Sequence, residues 1–146
     1  MRISSKGRYA IAALTEMVLD ETEGYVTVAT LAGRLGVSKV YLEQVFSLLK
    51  RGGVVLSGKG SQGGYLLKNK PECVTIYNIL YPIELSLSER TEKAVEGLSA
   101  EMGETVNELV FKPLDETILQ TLTSITLADL AGNVQKRRDV GSMYYI

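Results

Sequence analysis

Gly36-Val37-Ser38 stands between two stretches of helical apolar periodicity, and no other feature of the chain restricts its fold as tightly. Glycine supplies the tight turn that ends one helix, serine caps the next, and Val37 fills the gap where the two cross. Upstream, Thr27 is placed to cap a short helix through Leu31 and Ala32 to Leu35, and the small Ala32 lets the two helices approach closely. Downstream, Lys39 to Arg51 carries Leu42, Val45, Phe46 and Leu49 at i, i+3, i+4 and i+7, one apolar stripe for a core. The pattern predicts a helix-turn-helix. A preceding helix, capped by a serine of Ser4-Ser5 and ending near Asp20, would bury Ala10, Ile11, Leu14, Met17 and Val18.

The stretch that follows, VVLSGKGSQGGYLL at residues 54–67, satisfies the G-x-G-x-x-G pattern of dinucleotide-binding loops. That motif needs a helix after the glycines, because the phosphate rests on the free N–H groups of a helix N-terminus. Here Tyr65-Leu66-Leu67 runs into Lys68-Asn69-Lys70-Pro71, too short a run for such a helix. Two β-prone runs around a glycine-rich tip predict an antiparallel hairpin. A helix-turn-helix followed by a hairpin with a cationic tip is a winged helix, so the expected fold is mainly α with a small β-hairpin wing.

This order of elements gives meaning to the outer face of the third helix. Val40, Gln44, Ser47 and Arg51 lie opposite its apolar stripe, with Glu43 at the flank. A Gln amide can bond adenine N6 and N7, a Glu carboxylate can accept from cytosine N4, and Val40 can touch a thymine methyl. A merely wet amphipathic helix would also have a polar outer face; the adjoining wing favours DNA. Gly58, Gly60, Gly63 and Gly64 would let the backbone lie close to DNA while Lys59 reaches a phosphate or the minor groove. The candidate DNA-binding set is Arg2, Ser4, Lys6, Arg8, Ser38, Lys39, Val40, Tyr41, Glu43, Gln44, Ser47, Arg51, Lys59 and Gly60.

Charge divides the same way. Residues 1–70 hold ten Lys or Arg against five Asp or Glu, and residues 71–146 hold six against twelve. A basic first half suits a polyanion, and an acidic second half does not. The expected organisation is a winged-helix DNA-binding domain at 1–70 and a helical dimerisation region with a C-terminal tail at 71–146. In the latter, Val106, Leu109, Val110, Leu114, Ile118 and Leu122 recur at near-helical spacing, with a kink expected at Pro113. Thr126 would cap a last short helix through Leu130, and Pro82 would end a helix begun near Thr75.

One cysteine and no histidine exclude a disulfide framework within the chain and a His-based metal site. Cysteine usage fits a reducing cytoplasm. The apolar run Ala10 to Leu19 is interrupted by Thr15 and Glu16 and lacks a cleavage site, so it does not read as a signal peptide, and no segment is long enough to span a bilayer. An enzyme would need a nucleophile, an acid–base pair or a metal set, none of which is evident. A winged helix that binds protein rather than DNA should lack the basic wing tip and polar recognition face. Cys73 reads as a small packed apolar side chain or, if exposed with a lowered pKa, as a redox-active thiol.

The runs MRISSKGRYAIAAL at 1–14, VYLEQVFSLLKRGGVV at 40–55, GGYLL at 63–67 and SITLADL at 124–130 resemble the Rrf-two family of bacterial transcription regulators over nearly the whole chain. The resemblance implies a homodimeric winged-helix DNA-binding protein with base contacts at Glu43 and Gln44 and a groove contact at Lys59. Cluster-bearing members hold an iron–sulfur centre with three cysteines before the long C-terminal helix. The matching region here, roughly Ile83 to Thr105, has neither Cys nor His, so no cofactor is expected. Carboxylates there, such as Glu89, Glu92 and Glu101, read as a solvated face. With the cluster cysteines missing, the ending Met143-Tyr144-Tyr145-Ile146 resembles the branch that represses cysteine metabolism from a near-palindromic operator. That branch implies cysteine synthase as a partner, held through Tyr145 and the Ile146 carboxylate. A redox- or metal-responsive sensor of other genes is the alternative within the family.

Overall fold

The computed structural model describes residues 2–20, 24–58, 63–89, 97 and 99–143. Lys59 and Gly60 of the wing tip, and Tyr145 and Ile146 of the tail, lie outside the described residues.

Each helix of the first half starts at the cap its sequence offers. Ser4 accepts from the Gly7 N–H to open α1 (Ser5–Leu19), Thr27 from Thr30 to open α2 (Val28–Leu35), and Ser38 from Tyr41 to open α3 (Lys39–Arg51). Such caps satisfy backbone donors that the helix itself cannot, and each contributes about 1 kcal/mol. Gly36 turns with φ of 68°, as the junction requires. Ala10, Leu14 and Met17 of α1 are buried as the spacing implies, while Ile11 and Val18 are half-buried. Thr15 is also buried, its hydroxyl donating to the Ile11 carbonyl at 2.7 Å.

The wing is β1 (Val55–Ser57) antiparallel to β2 (Tyr65–Leu67), with Val55 opposite Leu67 and Ser57 opposite Tyr65. Val26 adds a third, one-residue rung on the free edge of β2: its N–H donates to the Tyr65 carbonyl at 2.9 Å, and the Tyr65 N–H donates back at 2.8 Å. The wing is thereby stitched to the entry of α2. Tyr65 also packs on Phe46 of α3, ring centroids 4.8 Å apart, so the recognition helix and the wing share one hydrophobic contact.

In the second half, Thr75 and Asn78 form a capping box for α4 (Ile76–Leu80), which stops before Pro82 as expected. α5 (Ala100–Val106) runs through a π turn at Asn107–Phe111 into α6 (Lys112–Ser124). Pro113 cannot donate to the Leu109 carbonyl and its ring crowds that position, so the wider π turn takes up the proline where the sequence suggests a kink. α7 spans Leu127–Met143, much longer than the short helix expected to end at Leu130. The cause is tertiary: α7 lies along α1, where Arg138 Nη2 donates to Glu16 Oε1 at 3.1 Å.

Thr75 and Thr126, caps of α4 and α7, are themselves paired across an isolated bridge. The Ile76 N–H donates to the Ile125 carbonyl at 3.0 Å and the Leu127 N–H to the Val74 carbonyl at 2.8 Å. Asp129 completes the second cap, accepting from the Thr126 N–H and donating its own N–H to the Thr126 hydroxyl. The backbone N–H and then the hydroxyl of Thr126 hold the Asp129 carboxyl below the usual carboxylate range. Ile79, Leu80 and Leu127 join Leu14, Leu31, Leu42, Phe46 and Val55 in one hydrophobic cluster, so α4 and α7 share the core of the winged helix.

Candidate nucleic-acid interface

With Leu42, Val45, Phe46 and Leu49 fully buried, α3 must turn its other side outward. Val40, Glu43, Gln44, Ser47 and Arg51 are all exposed there, Val40 to 66%. Val40, Glu43, Gln44, Ser47 and Leu48 line an open depression of about 410 Å³ together with Lys6 of α1. The rigid helix thus presents an amide, a carboxylate, a hydroxyl and a methyl surface beside a cation, the mixture that base edges and an adjoining phosphate require. Lys39 Nζ lies 3.7 Å from Glu43 Oε1 in an exposed i, i+4 pair, which steers the carboxylate along the helix. Solvent screens such a pair strongly.

The structure sorts the remaining candidates. Arg2 and Arg8 are exposed, and Arg8 Nη2 donates to Ser5 Oγ at 3.3 Å. The Ser38 hydroxyl is engaged as the cap of α3. Two of the candidates have partners within the protein. Tyr41 does not stand with the outer face: its ring packs edge-on against Tyr9 at 5.6 Å, and its hydroxyl is buried without a hydrogen-bond partner among the described residues. It braces α3 against α1 through the Tyr9 ring. Ser4 is exposed, and its polar groups are engaged by the protein itself. Its N–H and its hydroxyl both donate to Glu84 Oε1, at 2.9 and 2.6 Å, and a side chain at Gly7 would put a Cβ 2.5 Å from the same oxygen.

The wing glycines also find an internal purpose. A Cβ at Gly58 would lie 3.0 Å from the Tyr25 ring, and one at Gly64 3.0 Å from the Val26 carbonyl. Gly64 further adopts φ of 109°, a conformation costly for other residues. Close packing on Tyr25 and Val26 therefore accounts for these two glycines, where the sequence suggests an approach to DNA.

Residues 3–133 match the Rrf2 family, described as iron-dependent transcriptional regulators. The chain belongs to the Rrf2 family. Among its relatives is the HTH-type transcriptional regulator IscR of Erwinia tasmaniensis, 36% identical over 91% of this chain and 80% of that one. The fold matches CymR (YrzC), the global cysteine regulator of B. subtilis, with a TM-score of 0.74 and 31% identity over 91% of this chain and 98% of that one. It also matches IscR of T. potens, with a TM-score of 0.72 and 29% identity over 94% and 90% of the two chains. This Rrf2 protein is therefore a transcriptional regulator with a winged-helix architecture.

The family description raises the question of iron. Cys73 is the chain's one cysteine, exposed on a 3-10 turn (Pro71–Cys73) after the wing. It borders a cleft of about 300 Å³ with Asn69, Tyr77, Tyr81 and Pro82. Among the described residues no three His, Cys, Asp or Glu side chains converge on a point that would hold a metal. Iron–sulfur clusters are held by several thiolates, so the donor set of this chain does not fit one.

No helix is long and apolar enough to cross a membrane among the described residues. Sequence reasoning missed Val26 as a rung of the wing sheet and Glu84 as the partner of Ser4. Tyr25-Val26-Thr27 is a β-prone triplet that hinted at the first; nothing local signals the second.

Proposed function

We propose that the protein is a dimeric repressor that reads a near-palindromic operator with α3 and the wing and controls genes of cysteine or sulfur metabolism without an iron–sulfur cluster. The observation that carries the DNA-reading part is the grouping of Val40, Glu43, Gln44 and Ser47 with Lys6 around one open depression on a rigid helix. Arg2, Arg8, Lys39, Arg51 and, in the wing tip, Lys59 and Gly60 act as backbone contacts around it. Tyr41 and Ser4 support the interface through their contacts with Tyr9 and Glu84.

Residues 71–146 form the dimerisation region in this reading. Leu109, Val110 and Leu114 on the α5–α6 rod stay 51–73% exposed, an apolar face that a second copy would cover. The assignment to sulfur metabolism is supported by the fold likeness to a global cysteine regulator together with the missing cluster ligands. On the same ground, Tyr145 and Ile146 engage cysteine synthase, which would report thiol supply to the repressor.

Mapping the genomic sites bound by the full chain tests the reading. Enrichment of one inverted-repeat motif upstream of sulfur-assimilation genes is expected. A motif upstream of unrelated genes would replace the sulfur assignment, and diffuse occupancy with no motif would overturn operator reading.

A further inference from the structure

Tyr25 is an aromatic side chain 51% exposed at the mouth of the wing, and the DNA reading above leaves it without a role. Its neighbour Val26 is buried and paired to Tyr65, so strand alternation puts Tyr25 on the outer side of the small sheet, the side that also carries the exposed Leu56. There the ring lies over Gly58 and the Tyr25 Cβ lies beside Gly64, the glycines on either side of the tip. Gly58 and Gly64 are joined by an N–H to carbonyl hydrogen bond of 2.9 Å. A Cβ at Gly58 would meet Cδ1, Cγ and Cε1 of the ring at 3.0 to 3.2 Å, and one at Gly64 would meet the Tyr25 Cβ at 3.2 Å. The ring is therefore fixed by its contact with backbone, yet its hydroxyl has no hydrogen-bond partner among the described residues.

A pre-positioned phenol with an unused donor, exposed beside the wing, suits one oxygen of a sugar–phosphate backbone. A tyrosine held by its neighbours loses little rotamer entropy on binding. We propose that Tyr25 is a DNA-backbone contact of the wing, its hydroxyl donating to a phosphate oxygen. The inference rests on the operator-binding reading and adds to it a neutral, sequence-independent contact. Such a contact releases no counterion, which separates it from the lysine and arginine contacts.

The test is fluorescence anisotropy on a mapped operator and on random duplex of equal length, over a series of salt concentrations, with Tyr25→Phe, Tyr25→Ala and Gln44→Ala. Tyr25→Phe keeps the ring over Gly58 and removes only the donor. It is expected to bind about 3- to 10-fold more weakly on both duplexes, the loss of one hydrogen bond, with an unchanged salt slope and an unchanged melting temperature. Tyr25→Phe binding like the parent, while Tyr25→Ala weakens, would mean that the ring only props the wing and would overturn the proposal. A loss confined to the operator would overturn it too, since a backbone contact carries no sequence preference. Gln44→Ala keeps the two readings apart: if it relaxes preference while Tyr25→Phe is silent, only Tyr25 fails, and if both are silent the operator reading falls with it.

Discussion

Ser4 and Glu84 are 80 positions apart in sequence and meet through two hydrogen bonds to a single carboxylate oxygen. The Ser4 hydroxyl has a double duty, donating to Glu84 at 2.6 Å and accepting from the Gly7 N–H at 3.1 Å. The start of α1, which carries Lys6 into the recognition depression, is thus held by the segment that follows α4. Ser4→Ala removes the cap and the hydroxyl bond to Glu84 while keeping the N–H bond, and is expected to cost about 1 to 2 kcal/mol in chemical unfolding. A double-mutant cycle with Glu84→Ala should return a coupling of about 0.5 kcal/mol or more. Strict additivity would mean the pair contributes nothing.

Phe46 is fully buried and touches the Tyr65 ring, so its truncation leaves a cavity where α3 meets the wing. Phe46→Ala should destabilise the protein by about 3 to 5 kcal/mol. A loss under 1 kcal/mol in urea unfolding would contradict the packing described.

The apolar face of the α5–α6 rod gives a third expectation. Leu109 and Leu114 are 73% and 55% exposed, so charging them harms no monomer core but places carboxylates in the proposed dimer interface. Leu109→Glu with Leu114→Glu should convert the protein to a monomer in sedimentation equilibrium at micromolar concentration while its melting remains cooperative. An unchanged dimer would move the interface elsewhere.

Anaerobically purified protein is expected to be colourless and to contain no stoichiometric iron or sulfide, because one thiol per chain cannot supply a cluster's ligands. Metal analysis and a visible spectrum check this. Near-stoichiometric iron with a broad visible band would replace the sulfur-repressor reading with a cluster sensor.

Much of the first half was legible because its signals are local. Thr27 and Ser38 cap the helices that follow them, the Leu42–Leu49 stripe is the buried one, and two β-prone runs around glycines pair as a hairpin. What the sequence hid depends on distant partners. Val26 becomes a strand residue only because Tyr65 arrives beside it. The polar run from Asn133 to Arg138 has no apolar stripe to announce a helix, and it is helical because α7 lies along α1 and Arg138 reaches Glu16. Tyr41 lies at the flank of the apolar stripe on an ideal wheel, and only the arrival of Tyr9 gives its ring an aromatic partner. In the candidate site, Val40, Glu43, Gln44 and Ser47 were found from periodicity because the face opposite a buried stripe is exposed by geometry alone. Glu84 escaped because nothing near it in sequence marks a carboxylate that will turn toward α1.

Gln44 at the centre of the exposed face of α3 bears the central claim, that this helix reads base sequence. The most direct measurement is the affinity of Gln44→Ala for the mapped operator, for operators changed at single positions, and for random duplex, all at one fixed salt concentration. The account predicts a loss of about 1 to 3 kcal/mol on the operator, no comparable loss on random DNA, and tolerance of any base at one position of each half-site. Equal losses on operator and random duplex, with the preference at every position intact, would contradict it.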